Sequence, residues 1–207
     1  IYEDSDGFLW IGTQGGGLDC YDPELDTFTH FKSGPDPTTS LSDDFLNALC
    51  QCNHGKIWIG TNNGLNILDP QSGRFIHFKN DPDIPGSLSD NQVSALLIDR
   101  NGLMWVGTHN GLDRFEHRDD LIAQYQNIEF KSDILRNKHV TTIFEDKKGT
   151  IWIGTETGLY SNNKKTGEFI RYQTDPYDPS SLSSNHIYSI CEDRFSNIWV
   201  GTMNGLN

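Results

Sequence analysis

The chain has 207 residues, of which 35% are hydrophobic and 11% aromatic, enough to build a packed core and to exclude a disordered chain. Its 16 basic and 29 acidic residues give a net charge of −13, which disfavours nucleic acid and anionic lipid surfaces as partners. The apolar runs fall far short of the roughly 20 residues that a bilayer-spanning helix needs.

One short motif recurs five times along the chain: an aliphatic or methionine residue, Trp, Ile or Val, Gly and Thr, followed by Gly-Leu after a short turn. The copies contain every tryptophan of the chain, namely Trp10, Trp58, Trp105, Trp152 and Trp199. Successive tryptophans are 48, 47, 47 and 47 residues apart. A fixed period of this size indicates a solenoid, a propeller or a repeat array.

The third unit shows how each repeat is organised. Residues 93–99 are apolar on both sides of a pleat, which predicts a buried strand, and the turn-forming segment from Asp99 to Gly102 follows it. Residues 103–108 form the tryptophan strand, and Asn110-Gly111 is a strong hairpin signal before a third strand at 112–115. A fourth strand is predicted at 28–31, 75–78, 122–125 and 169–172 of successive units.

A connection of constant length joins one unit to the next. Each fourth strand ends 15 residues before the first strand of the following unit begins, as from Phe31 to Leu46 and from Tyr125 to Val140. Four short antiparallel strands in about 47 residues, apolar on both faces, are typical of a propeller blade packed between two neighbours, so we expect all five tryptophans to be mostly buried between blades. We therefore predict an all-β propeller with units at 1–45, 46–92, 93–139, 140–186 and 187–207. The first and last units are incomplete, so we expect an open, partial ring with labile ends.

The titratable residues favour structural functions over catalysis. The recurring acids Asp4, Asp99, Asp146 and Asp193 begin turns between strands, which explains them without chemistry. A calcium loop is disfavoured at Asp4 because the later ligand positions are missing, and the unaligned arginines argue against a sialidase. His30 and His77 occupy equal places in the fourth strand, where a metal site is the weaker interpretation. No nucleophile elbow, phosphate-binding loop or dinucleotide fingerprint is present, so we predict neither catalytic residues nor a cofactor nor a metal.

The four cysteines have no zinc-ligand spacing and no Cys-x-x-Cys motif. Cys50 and Cys191 take places where other units carry Tyr2, Leu97 and Phe144. We therefore expect them to be small buried hydrophobic residues.

The run from Asn185 through Glu192-Asp193 to the last Trp-Val-Gly-Thr and Gly205-Leu206 resembles the two-component regulator propeller repeat. The resemblance covers the whole chain. It implies the periplasmic sensor part of an inner-membrane hybrid histidine kinase, in which two seven-bladed propellers precede a β-sandwich and one membrane span. Many such sensors respond to oligosaccharides. The repeat marks no ligand residues, and any kinase residues would lie outside this chain.

Three functions from different classes remain. The first is a non-catalytic, ligand-sensing segment of a signalling receptor, whose partners would be an oligosaccharide or other small ligand, the remaining blades and a second copy of the receptor. The second is a propeller lyase or hydrolase acting on polysaccharide, and the third is a protein-interaction scaffold. The lack of converging catalytic groups favours the first.

Counting strand reversals locates a binding face. The long connections and the Asn-Gly turns must share one face of the ring, and the Asp-x-x-Gly and Asp-Pro turns must share the other. Loops on a rigid scaffold commonly carry binding groups, and amide, imidazole and carboxylate groups suit sugar hydroxyls. The candidate ligand-binding residues, with His109 and Glu156 foremost, are Asn62, Asn63, Asn91, His109, Asn110, His139, Glu156, Thr157, Asn185, His186 and Asn204.

Overall fold

A computed structural model describes residues 1–52, 54–84, 86–115, 130–131, 133–163 and 166–207. The described chain is all-β apart from a single 3-10 turn at Asp133–Leu135, and it forms five antiparallel sheets in chain order. Among these residues, no helix has the length and apolar character required to cross a membrane.

Each sheet is a meander whose strands lie side by side in the order of the sequence. The first consists of β1 (Tyr2–Glu3), β2 (Leu9–Gly12), β3 (Leu18–Asp22) and β4 (Thr27–Phe31). The second consists of β5 (Leu46–Gln51), β6 (Ile57–Thr61), β7 (Gly64–Asp69) and β8 (Arg74–Phe78). The third consists of β9 (Val93–Ile98), β10 (Met104–Thr108), β11 (Gly111–Phe115) and β12 (Phe130–Lys131). The fourth consists of β13 (Val140–Glu145), β14 (Ile151–Thr155), β15 (Gly158–Asn162) and β16 (Phe169–Tyr172). The fifth has three strands, β17 (Ile187–Glu192), β18 (Ile198–Thr202) and β19 (Gly205–Leu206).

The core lies between successive sheets rather than within any one of them. Trp58 clusters with Met104, Val106 and Phe115 of the next sheet, and Trp105 clusters with Ile153 of the sheet after it. The tryptophan of each of the first four units therefore points toward the following blade, whereas its strand neighbours in the later units point toward the preceding one. This arrangement explains the apolar residues on both faces of each strand.

Burial of the tryptophans depends on whether a following blade is present. Trp10, Trp58 and Trp105 are at most 4% exposed, as predicted, and Trp152 is partly buried. The expectation of burial is wrong for Trp199, which is 41% exposed because, among the described residues, no further sheet lies beside the fifth. Cys191 pairs with Trp199 across the same sheet and is likewise exposed, whereas Cys50 is partly buried.

In the first four units, the glycine of the Trp-Ile/Val-Gly motif lies where two blades approach each other closely. A Cβ atom placed on Gly107 would lie 2.5 Å from Cγ1 of Val140, and one on Gly154 would lie 2.7 Å from Cγ2 of Ile187. Both contacts are shorter than real Cβ atoms tolerate, so the first strand of the next blade packs directly on the glycine. The inner strands of neighbouring blades are therefore tightly stacked.

The fourth strand of the third blade differs from the prediction. Lys131 pairs with Asp113, 18 positions away, whereas the equivalent pairs Asp19–His30 and Asn66–His77 are 11 positions apart. The predicted strand at 122–125 lies outside the described residues, and the constant 15-residue connection is wrong for this unit. The spacing of the repeat is nevertheless kept after this strand, because Leu135 is fully buried at the position equivalent to Leu41 and Leu88 of earlier units.

The five sheets form a partial, open propeller ring. Each first strand contacts the first strand of the next sheet from β5 onward, in the order β5, β9, β13 and β17, and β2 contacts β5. The prediction of four-stranded antiparallel blades in an open arc is confirmed.

Candidate functional site

The two faces of the ring are held together by different hydrogen bonds. On one face, the Asn-Gly turns and the equivalent Thr157-Gly158 turn donate backbone N–H groups to the strand entries, as from His109 to Gln92 and from Glu156 to His139. We call this surface, made of the strand entries and Asn-Gly turns, the entry face. On the opposite face the Asp-x-x-Gly turns contact one another, since the Arg100 guanidinium donates to the carbonyl oxygen of Asp146 at 2.5 Å. The strand entries thus share a face with the Asn-Gly turns, as predicted. Part of the first long connection instead reaches the strand after the Asp-Pro turn of the second blade, where the carbonyl oxygen of Thr38 accepts the backbone N–H of Phe75.

Four of the predicted candidates, contributed by three blades, converge on the entry face. The rings of His109 and His139 lie with their centroids 3.8 Å apart, and Nδ1 of His139 is 2.8 Å from Oε1 of Glu156. An ionised carboxylate only accepts, so Nδ1 of His139 carries the proton of this bond. His186, at the next strand entry, is close enough for its charge to act on Glu156.

The electrostatics of this cluster keep its groups in different charge states. The pKa of Glu156 is lowered, first by the hydrogen bond from His139 and then by the charges of His139, His186 and His109, which outweigh partial burial. The pKa of His109 is also lowered, because burial and the neighbouring His139 oppose its protonation more strongly than Asp90 and Glu156 favour it. At neutral pH the cluster therefore presents a carboxylate beside a neutral His109 imidazole.

An aromatic ring extends the cluster toward the fifth blade. His186 lies with its ring centroid 4.6 Å from that of Tyr188, and Tyr188 is 57% exposed. The sequence placed His109, His139, Glu156 and His186 on one face but gave no reason to pair them. Recognising that a turn residue meets the strand entry of the next blade would have found the contact between His109 and His139.

The remaining candidates form hydrogen bonds with other residues of the chain. The amide oxygens of Asn91 and Asn185 accept the backbone N–H groups of Asn80 and Thr174, both at 2.8 Å. Other candidates brace turns in the same way: Asn62 accepts from Asn47, Asn63 donates to Ser42, Asn204 donates to Ser183, and the carbonyls of Asn110 and Thr157 accept from Asn137 and Arg171. These bonds account for polar residues at these positions without a ligand. That the same residues contact a ligand remains a prediction.

The recurring aspartates of the opposite face hold their turns in place. One carboxylate oxygen of Asp99 accepts the backbone N–H groups of Asn101 and Leu103 at 2.9 and 3.0 Å, and the other accepts Nε1–H of Trp105 at 3.0 Å. The same tryptophan bond occurs from Trp10 to Asp4, from Trp152 to Asp146 and from Trp199 to Asp193. The structural interpretation of these aspartates is confirmed. The second unit has Cys52 in this place, so it lacks the carboxylate.

The two histidines of the fourth strands have protein partners. Nδ1 of His30 lies 2.6 Å from a carboxylate oxygen of Asp19, and Nε2 of His77 lies 2.8 Å from the carbonyl oxygen of Ser40. Across the described ranges, no group of three or more histidine, cysteine, aspartate or glutamate side chains is placed to hold a metal ion.

Sequence comparison identifies the repeat. The model of the two component regulator propeller family matches residues 1–15, 87–110, 134–157 and 181–204. Four segments of the chain thus match the two-component regulator propeller repeat. Each matched segment ends just after a Trp-Ile/Val-Gly-Thr motif, and the motif of the second unit, at 57–61 after Cys52, lies outside the matches. No curated protein sequence matches the chain.

Solved structures share this arrangement of propeller repeats. One is the extracellular domain assigned to the hybrid two component system BT4673 from B. thetaiotaomicron, with 25% identity, a TM-score of 0.77 and alignment over 96% of this chain. The aligned part is 25% of that chain. The extracellular domain assigned to BT3049 from the same organism is 23% identical over 96% of this chain and 31% of the other, with a TM-score of 0.65. Virginiamycin B lyase from Staphylococcus aureus shares the fold at 14% identity, over 100% of this chain and 67% of its own, with a TM-score of 0.66.

Proposed function

We propose that this propeller repeat segment is a non-catalytic, ligand-sensing part of a two-component signalling receptor and that it binds an oligosaccharide on its entry face. The observation that carries the proposal is the meeting of His109, His139 and Glu156 from neighbouring blades. Similarity to the extracellular domain assigned to BT4673 supports the receptor and an extracytoplasmic position. We propose that this position is the periplasm. The remaining blades and a second copy of the receptor would be its protein partners.

The chemistry of the cluster suits sugar hydroxyl groups. Glu156 accepts hydrogen bonds, the neutral His109 ring both donates and accepts, and the exposed ring of Tyr188 offers an aromatic surface to the apolar face of a sugar. Because the groups come from three blades, a ligand here would also report on the relative positions of those blades. Such a contact is what a sensor requires, since a ligand shifts a conformational equilibrium only through differential affinity for its states.

The test is titration of a panel of neutral oligosaccharides into the intact receptor by calorimetry, with His109→Ala and Glu156→Gln variants. We expect a loss of affinity of about tenfold in each variant, corresponding to about 1.4 kcal/mol for one polar contact. Asn101→Ala, on the opposite face, is the matched control and should bind like the wild type. Unchanged affinity in both entry-face variants together with a loss in the control would refute the assignment, and appearance of cleaved sugar would favour a lyase or hydrolase.

A further inference from the structure

A crevice opens between the first two blades on the face of the Asp-x-x-Gly turns. Its volume is about 450 Å³, and its walls are the turn of the first blade, with Asp6 and Phe8, and the Asp69-Pro70 turn of the second. Phe31 and Cys20 line its floor. This crevice is on the opposite side of the ring from the entry face and is not part of the oligosaccharide proposal.

The equivalent crevice between the third and fourth blades contains two guanidinium groups. Nε of Arg100 lies 2.6 Å from Oε1 of Glu145, and its other nitrogens donate to the carbonyl oxygens of Asp146 and Lys147. Cζ of Arg114 lies 5.6 Å from the ring centroid of Trp105, a cation–π distance. The volume left there is about 350 Å³. Arginine side chains of the chain itself thus supply the cations of this crevice.

Small uncharged side chains occupy both equivalent positions of the first blade. Ser5 follows the turn aspartate as Arg100 does, and Cys20 pairs with Trp10 as Arg114 pairs with Trp105. In the first crevice, the side-chain oxygen of Gln51 accepts the backbone N–H of Ser5 at 2.9 Å. In the crevice between the third and fourth blades, a carboxylate oxygen of Glu145 accepts the backbone N–H of Arg100 at 2.9 Å. The thiol of Cys20 adds no charge at neutral pH, since burial and then the nearby carboxylates of Asp4 and Asp22 raise its pKa to about 11.

The first crevice keeps acidic and aromatic surroundings in the absence of those arginines. The carboxylates of Asp4, Asp6 and Asp69 line it. Asp4 accepts hydrogen bonds from its own turn and from Trp10, Asp69 lies 3.2 Å from the ammonium of Lys56, and Asp6 is exposed. Trp10 is almost fully covered, so Phe8 and Phe31, both partly exposed, provide the accessible aromatic wall. His54, at the rim, is the remaining titratable side chain.

We propose that the crevice between the first two blades binds an external organic cation, a guanidinium or ammonium group on a slender aliphatic stem. The head group takes the place that Arg100 and Arg114 fill two blades further along, and its stem packs on Phe8 and Phe31. Carboxylates and aromatic faces recognise such cations together, by charge and by cation–π attraction. The excess of acidic over basic residues in the whole chain adds a long-range attraction for the same ligand.

Calorimetric titration of the chain with N-butylguanidinium, and with its uncharged isostere N-butylurea, tests the charge requirement. We expect one site for the cation and no measurable binding of the urea. Asp6→Asn should weaken cation binding about threefold to fivefold, the effect of one exposed charge pair, whereas Asp83→Asn removes the same charge on a distant loop and should change nothing. Equal binding of cation and urea, or equal weakening by both substitutions, would overturn the proposal.

Exchanging the two crevices provides the second arm of the test. The double variant Ser5→Arg and Cys20→Arg supplies the missing cations internally and should abolish binding, while Arg100→Ser with Arg114→Cys should raise the stoichiometry from one to two. Wild-type affinity in a folded Ser5→Arg, Cys20→Arg chain would contradict the assignment. If that variant fails to fold by circular dichroism, the comparison of Asp6→Asn with Asp83→Asn decides the question. An arginine-containing peptide that binds when N-butylguanidinium does not would also overturn it, because the site would then depend on a protein partner.

Discussion

Asp99 and Trp105 are joined by a hydrogen bond of 3.0 Å from the indole Nε1–H to the carboxylate, and this bond ties a surface turn to the core between the third and fourth blades. The second carboxylate oxygen holds the turn itself through two backbone N–H groups. One side chain thus fixes both the corner of a blade and the orientation of the ring that packs on the next blade. The repetition of the bond in four of the five units explains why Asp and Trp recur six positions apart.

We expect Asp99→Ala to lower the free energy of unfolding by about 2 kcal/mol or more, because it leaves buried donors without their acceptor. The change is measured by urea denaturation followed by tryptophan fluorescence. Asp6→Ala, at an exposed turn position in the first blade, is the control and should lie within about 0.5 kcal/mol of the wild type. Equal destabilisation by both changes would show that the Asp99 carboxylate has no special place in the fold.

Trp105 and Trp199 provide a matched pair for the packing between blades. Trp105→Ala should cost about 3–5 kcal/mol through lost contacts and a cavity, since the side chain is 4% exposed. Trp199→Ala should cost much less, since 41% of that residue is exposed and no further sheet of the described ranges covers it. Thermal unfolding of both variants distinguishes them, and a larger loss at Trp199 would contradict the packing order described above.

Local patterns in the sequence predicted the blades well and the site only in part. The strands could be predicted because hydrogen-bonding turns and two-sided apolar patterns are local properties of each repeat. The shifted fourth strand at Phe130–Lys131 could not be predicted. Leu135 keeps the spacing of the repeat, so the sequence pattern shows no sign that the strand pairing has moved. The pairing of His109 with His139 depends on how one blade stacks on the next. The contrast between Cys20 and Arg114 became visible only when strand pairing had aligned them.

Acid should weaken the turns of the fourth and fifth blades. Burial alone would raise the pKa of Asp146, but the hydrogen bonds from Trp152 and Thr150 outweigh it and lower the pKa; bonds from Asn197 and Trp199 lower the pKa of Asp193 to about 2. A carboxyl whose pKa is lower in the folded state stabilises the fold fully above its unfolded pKa, near 3.8, and loses that contribution as the pH falls through the folded pKa. We therefore expect stability to fall below about pH 4.

The matched variant for this pH effect is Asp146→Asn, which cannot titrate. Its melting temperature at pH 7 should be lower than that of the wild type, and the difference between the two proteins should shrink as the pH approaches 2. A constant difference across this range would exclude Asp146 as a source of the acid sensitivity.

Gly107 and Val140 test the closeness of neighbouring blades most directly. A methyl group at position 107 would lie 2.5 Å from Cγ1 of Val140, so Gly107→Ala should cost about 1–3 kcal/mol through overpacking. Val140→Ala alone should also destabilise, because Val140 is fully buried and its removal leaves a cavity. In the double variant, the methyl group added at position 107 takes up part of the space that Val140→Ala leaves. The double variant should therefore be more stable than the sum of the single losses predicts, by at least about 0.5 kcal/mol. Strict additivity of the two losses in urea denaturation would show that the third and fourth blades do not meet at this pair.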